Sequence, residues 1–160
     1  MSLGTAFSSE ITKNAAVAYI HYLSFMICFA ALALERKLLQ SEINKNEAIS
    51  LVIIDVFYGL AGLALLASGV LRVLYFGQGS SFYTENPVFW IKVAIFIFVG
   101  LLSLYPTFTY IVWVIPIARG DFPSINLSLV NRLRFIVNIE LIGFALIPIF
   151  ATIMARGIKI

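Results

Sequence analysis

The sequence predicts an all-α polytopic membrane protein, a four-transmembrane-helix bundle with both termini on the same side. Three observations predict it. Hydrophobic residues fill 61% of the 160 positions and charged residues only 12%, giving a mean hydropathy of +1.00, whereas a soluble domain carries about 25% charged residues. The apolar residues fall into four runs, about 15–34, 48–76, 88–115 and 129–155, each long enough for a bilayer core about 30 Å thick, which needs about 20 helical residues. The runs are also continuous. Barrel strands are about ten residues long and alternate in polarity. Lipid offers a backbone no other partner, so helices remain. Residues 1–160 are read as a single integral membrane domain.

The elements follow in order. Residues 1–14 form a polar lead with Ser9, Glu10 and Lys13. The first run is read as a retained span, being too long for the core of a signal peptide. A first loop, Glu35–Glu47, mixes Glu35, Arg36, Lys37, Glu42, Lys45 and Glu47, and reads as a solvated turn. The second loop, Gly77–Pro87, is rich in turn residues. Phe82, Tyr83, Phe89 and Trp90 around it form an aromatic interfacial patch. The third loop, about 118–128, holds Arg119, Gly120, Asp121 and Pro123. Pro106 and Pro148 interrupt the third and fourth spans and predict kinks.

Four crossings place both termini and the second loop on one side, called side A. The first and third loops lie on side B. Arg36, Lys37, Lys45 and Arg119 on side B stand against Lys13, Arg156 and Lys159 on side A, which by the positive-inside rule leans toward side B as cytoplasmic. The net charge of +3 is scattered at helix ends, as membrane-surface anchoring requires, so nucleic acid is not an expected partner. Lipid is the expected environment, in a bacterial inner membrane or its equivalent. A homo-oligomer and a larger membrane complex are both open. The single cysteine, Cys28, permits no disulfide within the chain.

The informative residues are the polar exceptions inside the runs: His21, Asp55, Arg72, Lys92, Arg132, Arg134 and Glu140. An ionisable group in a membrane span is costly and points to function or to a partner. At 1.5 Å per residue, His21 lies roughly 9 Å and Lys92 roughly 6 Å inside side A, while Asp55 and Glu140 lie roughly 10–14 Å in from side B. Arg72 approaches side A from the second span. His21, Ser24, Cys28 and Ala31 share one helical stripe, and Asp55, Gly59, Gly62, Leu66, Gly69 and Arg72 share another. Small residues at that spacing let backbones approach in lipid, so the second stripe is expected to face protein. Arg132 shares a face with Glu140, and Arg134 pairs with Asn138 at i, i+4.

Each exception has a structural explanation beside the functional one. Arg72 and Lys92 sit near helix ends, where long side chains snorkel. Arg132 and Arg134 are at anchoring depth. Asp55 and Glu140 are too deep to snorkel, which leaves a structural pair or a functional carboxyl. On the functional reading, His21 with Arg72 and Lys92 suits an anionic planar ligand such as haem b or a porphyrin. The histidine would be the metal ligand and the cations would take the propionates. Asp55 and Glu140 instead suit a small ion- or proton-coupled transporter. An accessory subunit of a larger complex is the third reading. Walker, Gly-x-Ser-x-Gly, His-Glu-x-x-His and Rossmann motifs are absent.

The stretches Asp55-Val-Phe-Tyr-Gly-Leu-Ala-Gly62, Ser68-Gly-Val-Leu-Arg-Val-Leu-Tyr-Phe76, Asn86-Pro-Val-Phe-Trp-Ile-Lys92 and Gly100-Leu-Leu-Ser-Leu-Tyr-Pro-Thr107 carry a resemblance. With them the chain resembles the uncharacterised bacterial membrane family labelled domain of unknown function 2214. That resemblance implies a four-helix integral membrane protein and supplies no activity. The layout is more distantly similar to the HemJ-type protoporphyrinogen oxidases, with His21 in the first span and Trp90-Ile91-Lys92 opening a later one. It departs where that pattern continues to a second histidine, because this chain reads Ser103-Leu-Tyr-Pro106. At most, that likeness implies a HemJ-like membrane oxidoreductase.

Overall fold

The computed structural model describes residues 3–158; Lys159 lies outside them, and side chains are described from Ser9 onward. The described residues form helices and turns and contain no strand. Helix α1 runs Leu3–Leu38, α2 Lys45–Leu74, α3 Ser80–Thr84, α4 Pro87–Ala118 and α5 Leu127–Ala155. Four of them, over Ser9–Leu38, Lys45–Leu74, Pro87–Ala118 and Leu127–Ala155, are long and apolar enough to cross a membrane. The short α3 lies in the second loop between α2 and α4. An even number of crossings returns the chain to side A.

Asparagine opens three of the four long helices. Asn44 caps α2 by accepting from the Glu47 amide at 3.0 Å, while Glu47 Oε2 accepts from the Asn44 amide at 2.8 Å. This reciprocal box satisfies two otherwise orphaned donors. Asn86 accepts from the Val88 amide at 3.0 Å ahead of Pro87, and Asn126 from the Leu129 amide at 2.8 Å. Pro106, Pro116 and Pro148 all lie inside continuous helix. Gly120, at φ 89°, makes the turn that ends α4.

Helix α1 packs chiefly on α2 and α4 on α5, with α2–α4 and α1–α5 contacts closing the ring. Every inward face follows steps of three and four. These faces are Ser24, Cys28, Ala31 and Glu35 in α1; Leu51, Asp55, Tyr58, Ala61, Leu65 and Ser68 in α2; Val99, Ser103, Pro106, Tyr110 and Trp113 in α4; and Val130, Leu133, Val137, Glu140 and Phe144 in α5. Such a period keeps one stripe of each helix facing its neighbours. Leu63, Leu66, Leu101, Phe108 and Val112 point outward, as lipid-facing residues do.

The structure departs from three expectations of the sequence. The polar lead is not separate from the first span, because α1 already begins at Leu3. The glycine stripe does not face protein as a whole. A Cβ at Gly59 or Gly62 would meet nothing within 4 Å, and Leu66 is exposed, whereas a Cβ at Gly69 would approach His21 Cε1 at 3.2 Å. The true inward stripe of α2 is displaced by one position, through Tyr58, Ala61, Leu65 and Ser68. That stripe alternates large Tyr58 and Leu65 with small Ala61 and Ser68 against the Ser24, Cys28 and Ala31 face of α1. The close approach uses Gly143 instead, where a Cβ would collide with Val99 Cγ2. Finally, Glu35 is not in a solvated turn. It lies inside α1 with 1% of its surface exposed.

Candidate functional site

The interior holds two polar layers. In the layer nearer side B, three helices each contribute an acid: Glu35 from α1, Asp55 from α2 and Glu140 from α5, with 1%, 6% and 0% of their surfaces exposed. Tyr110 of α4 donates to Glu35 Oε2 at 3.4 Å, and Thr107 donates to Asp55 Oδ1 at 2.8 Å. Glu35 Oε1 and both carboxyl oxygens of Glu140 are buried with no hydrogen-bond partner. Most buried polar groups are satisfied, so each exception asks for a reason.

The nearby arginines do not supply one. Arg36 donates to Asn138 Oδ1 at 2.6 Å, and Arg134 donates through Nε and Nη2 to the Leu39 carbonyl at 3.0 and 2.8 Å. Arg132 is exposed, reaches the Tyr105 hydroxyl at 3.3 Å and lies over that ring. The expected Arg134–Asn138 pair is therefore replaced by two contacts to α1. Arg134 follows the bare carbonyl that the end of α1 leaves at Leu39. Asn138 then serves Arg36. Among the described residues, no group of three His, Cys, Asp or Glu side chains is arranged to hold a metal ion together.

In the layer nearer side A, His21 Nδ1 lies 3.2 Å from the Leu65 carbonyl and 3.1 Å from Ser68 Oγ. Ser68 spends its own hydrogen on the Ala64 carbonyl at 2.6 Å. A carbonyl cannot donate, so Nδ1 carries the hydrogen, and in the neutral ring Nε2 keeps the lone pair. Gly69 leaves room for the ring edge. The Arg72 guanidinium lies 5.0 Å from the centre of the Tyr22 ring, with Nη1 buried and unpartnered. Lys92 Nζ lies 5.4 Å from the centre of the Phe89 ring. The Tyr22 ring under Arg72 is also the neighbour of the His21 ring, their centroids 6.0 Å apart. Glu85, the acid that side A could have offered, is exposed on a surface cavity with Ser81, Phe82, Asn86 and Gly157.

Sequence reasoning reached Asp55, Glu140, His21, Arg72 and Lys92 but missed Glu35, Tyr110 and Thr107. The signal for Glu35 was present. The stripe Ser24, Cys28, Ala31 continues by four to Glu35, on the buried face. Charged neighbours Arg36 and Lys37 masked it. Tyr110 and Thr107 carried no signal apart from tertiary contact.

Four long apolar helices around a core that holds two polar layers define an integral membrane protein. The chain belongs to the family described as Predicted membrane protein (DUF2214), whose profile matches residues 13–159. It matches no curated protein and no solved structure.

Proposed function

We propose that this membrane protein passes protons by way of Glu35, Asp55 and Glu140. The observation that carries the reading is Glu140: fully buried, with neither carboxyl oxygen partnered and no basic side chain committed to it. A buried charge without a partner is expensive, so each acid must hold a proton or be balanced by a mobile cation. An acid kept only for structure would be expected to have its partners made. Three acids on three helices, spaced without a metal cage, suit stepwise proton occupancy. A bacterial plasma membrane, where a proton gradient is maintained, is the setting we assign.

The experiment is reconstitution into liposomes with a pH-sensitive dye inside and an imposed potential. Proton flux is expected in wild type and is lost in Glu140→Gln, while Arg132→Gln retains it. Flux equal in wild type and Glu140→Gln would sink the reading.

A second reading, haem or a porphyrin at His21 with Arg72 and Lys92, has one specific support. Pinning Nδ1 to a backbone carbonyl leaves Nε2 free, the arrangement found around metal-bound imidazoles. A Soret band in the purified protein that disappears in His21→Ala tests it. A colourless protein that takes up no added haem removes it.

A further inference from the structure

We propose that Arg72, Lys92 and His21 form a binding site for the phosphate headgroup of an anionic lipid at the side-A face of the bundle. This site is separate from the carboxyl layer and does not depend on proton passage.

The argument starts from charge. Arg72 and Lys92 are both half-buried cations, one at the side-A end of α2 and the other at the side-A end of α4, two helices that pack against each other. Like charges repel more strongly as the dielectric falls, so an arrangement of this kind calls for an anion. Among the described residues no acid lies within salt-bridge distance of either; the ion pair that is present, Lys13–Glu10, lies on the exposed part of α1.

Geometry separates this site from ordinary snorkelling. A snorkelling arginine extends its nitrogens into water or headgroups. Arg72 instead lies across the Tyr22 ring with Nη1 sealed from solvent and without an acceptor. Guanidinium offers a planar fork that fits two phosphate oxygens, and ammonium adds a point charge. In its neutral form His21 has the Nδ1 hydrogen committed to Leu65 and Ser68, which leaves the Nε2 lone pair as an acceptor for a protonated phosphate oxygen.

The surroundings favour a lipid over a free ion or a macrocycle. Leu71, Leu74 and Tyr75 beside Arg72, and Tyr19 and Tyr22 beside His21, are exposed apolar and aromatic surface, ready for acyl chains and the interfacial glycerol region. The site lies toward side A, near the C-terminal end of α2 and the N-terminal end of α4. Two surface cavities, one at Ser81–Asn86 and one around Trp113 and Phe122, involve none of the three residues.

The test uses full-length protein purified in detergent and stripped of lipid. Phosphatidic acid, phosphatidylcholine and inorganic phosphate are added separately, and binding is read by native mass spectrometry and by thermal unfolding. Phosphatidic acid should bind and raise the unfolding temperature; the other two should not. Arg72→Gln and Lys92→Gln should each raise the Kd for phosphatidic acid by about tenfold to a hundredfold, as loss of one charge-assisted contact implies. Arg72→Lys should fall between wild type and Arg72→Gln. Arg132→Gln, an exposed cation toward the other side, should bind as wild type does. Equal stabilisation by inorganic phosphate or phosphatidylcholine overturns the proposal, as does unchanged affinity in both glutamine variants. A porphyrin displaced by no lipid would give the site to the macrocycle and overturn it too.

Discussion

The phenol of Tyr110 reaches across from α4 to donate to Glu35 Oε2 of α1 at 3.4 Å, in an interior where Glu35 Oε1 has no partner at all. Tyr110 is itself packed against Trp113, with ring centroids 5.2 Å apart. The contact joins two helices that are not otherwise the principal neighbours in the ring. A buried acid is thus held by a single neutral donor.

Tyr110→Phe should therefore destabilise the protein in detergent by about 1–3 kcal/mol, the range for stranding a buried acceptor. The same change made on Glu35→Leu should cost less, because the acceptor is gone. Thermal or denaturant unfolding of the four-member cycle reads the coupling. Additive effects would mean that the contact contributes nothing.

The glycines offer a paired test. At Gly143 a Cβ would collide with Val99 Cγ2, while at Gly62 it meets open space. Gly143→Ala should cost about 1–3 kcal/mol through overpacking. Gly62→Ala should be neutral or stabilise by up to about 1 kcal/mol through helix propensity. Thermal unfolding of the two variants should move in opposite directions or differ plainly in size. Equal losses would place Gly62 in a helix contact after all.

Arg134 caps the end of α1 with two bonds to the Leu39 carbonyl. Arg134→Met keeps much of the side-chain length and removes both donors. It should cost about 1.5–3 kcal/mol, typical of a bond from a charged group. Hydrogen exchange at the last turn of α1 and the first loop should rise with it. Unchanged protection there would show that the carbonyl finds another donor.

Thr107→Val strips Asp55 of its donor while nearly preserving shape. If Asp55 takes part in proton passage, flux in liposomes should change in Thr107→Val while the fold, followed by circular dichroism, stays intact. Asp55→Asn, which can keep a bond to Thr107, should fold normally and lose flux. Wild-type flux in Asp55→Asn would remove Asp55 from the route.

Much of the architecture was legible in the sequence because lipid imposes blunt rules. Four long apolar runs could only be helices, whereas the asparagine caps at 44, 86 and 126 emerged only with the structure. Depth along each run was also legible, since the rise per residue is fixed. That is how Asp55 and Glu140 were placed in one layer and His21, Arg72 and Lys92 in another. Rotation about the helix axis was less secure. The α2 stripe through Gly59 and Gly62 is one position away from the stripe through Tyr58 and Ala61, and both obey the same period. Period alone could not choose between them; the contacts of α2 with α1 and α4 did.

By itself, the sequence determined the class of protein, the four long helices and the order of the polar groups along them, because these follow from hydrophobic length and regular backbone geometry. The tertiary structure alone decided partners. It turned Glu35 from an apparent loop residue into a third buried acid, gave Asp55 to Thr107, sent Arg36 to Asn138 and Arg134 to Leu39, and left Glu140 and Arg72 Nη1 unpartnered. The physical reason is that a side chain's depth is set by its own helix, whereas its hydrogen bonds depend on the rotation and register of helices far away in the chain.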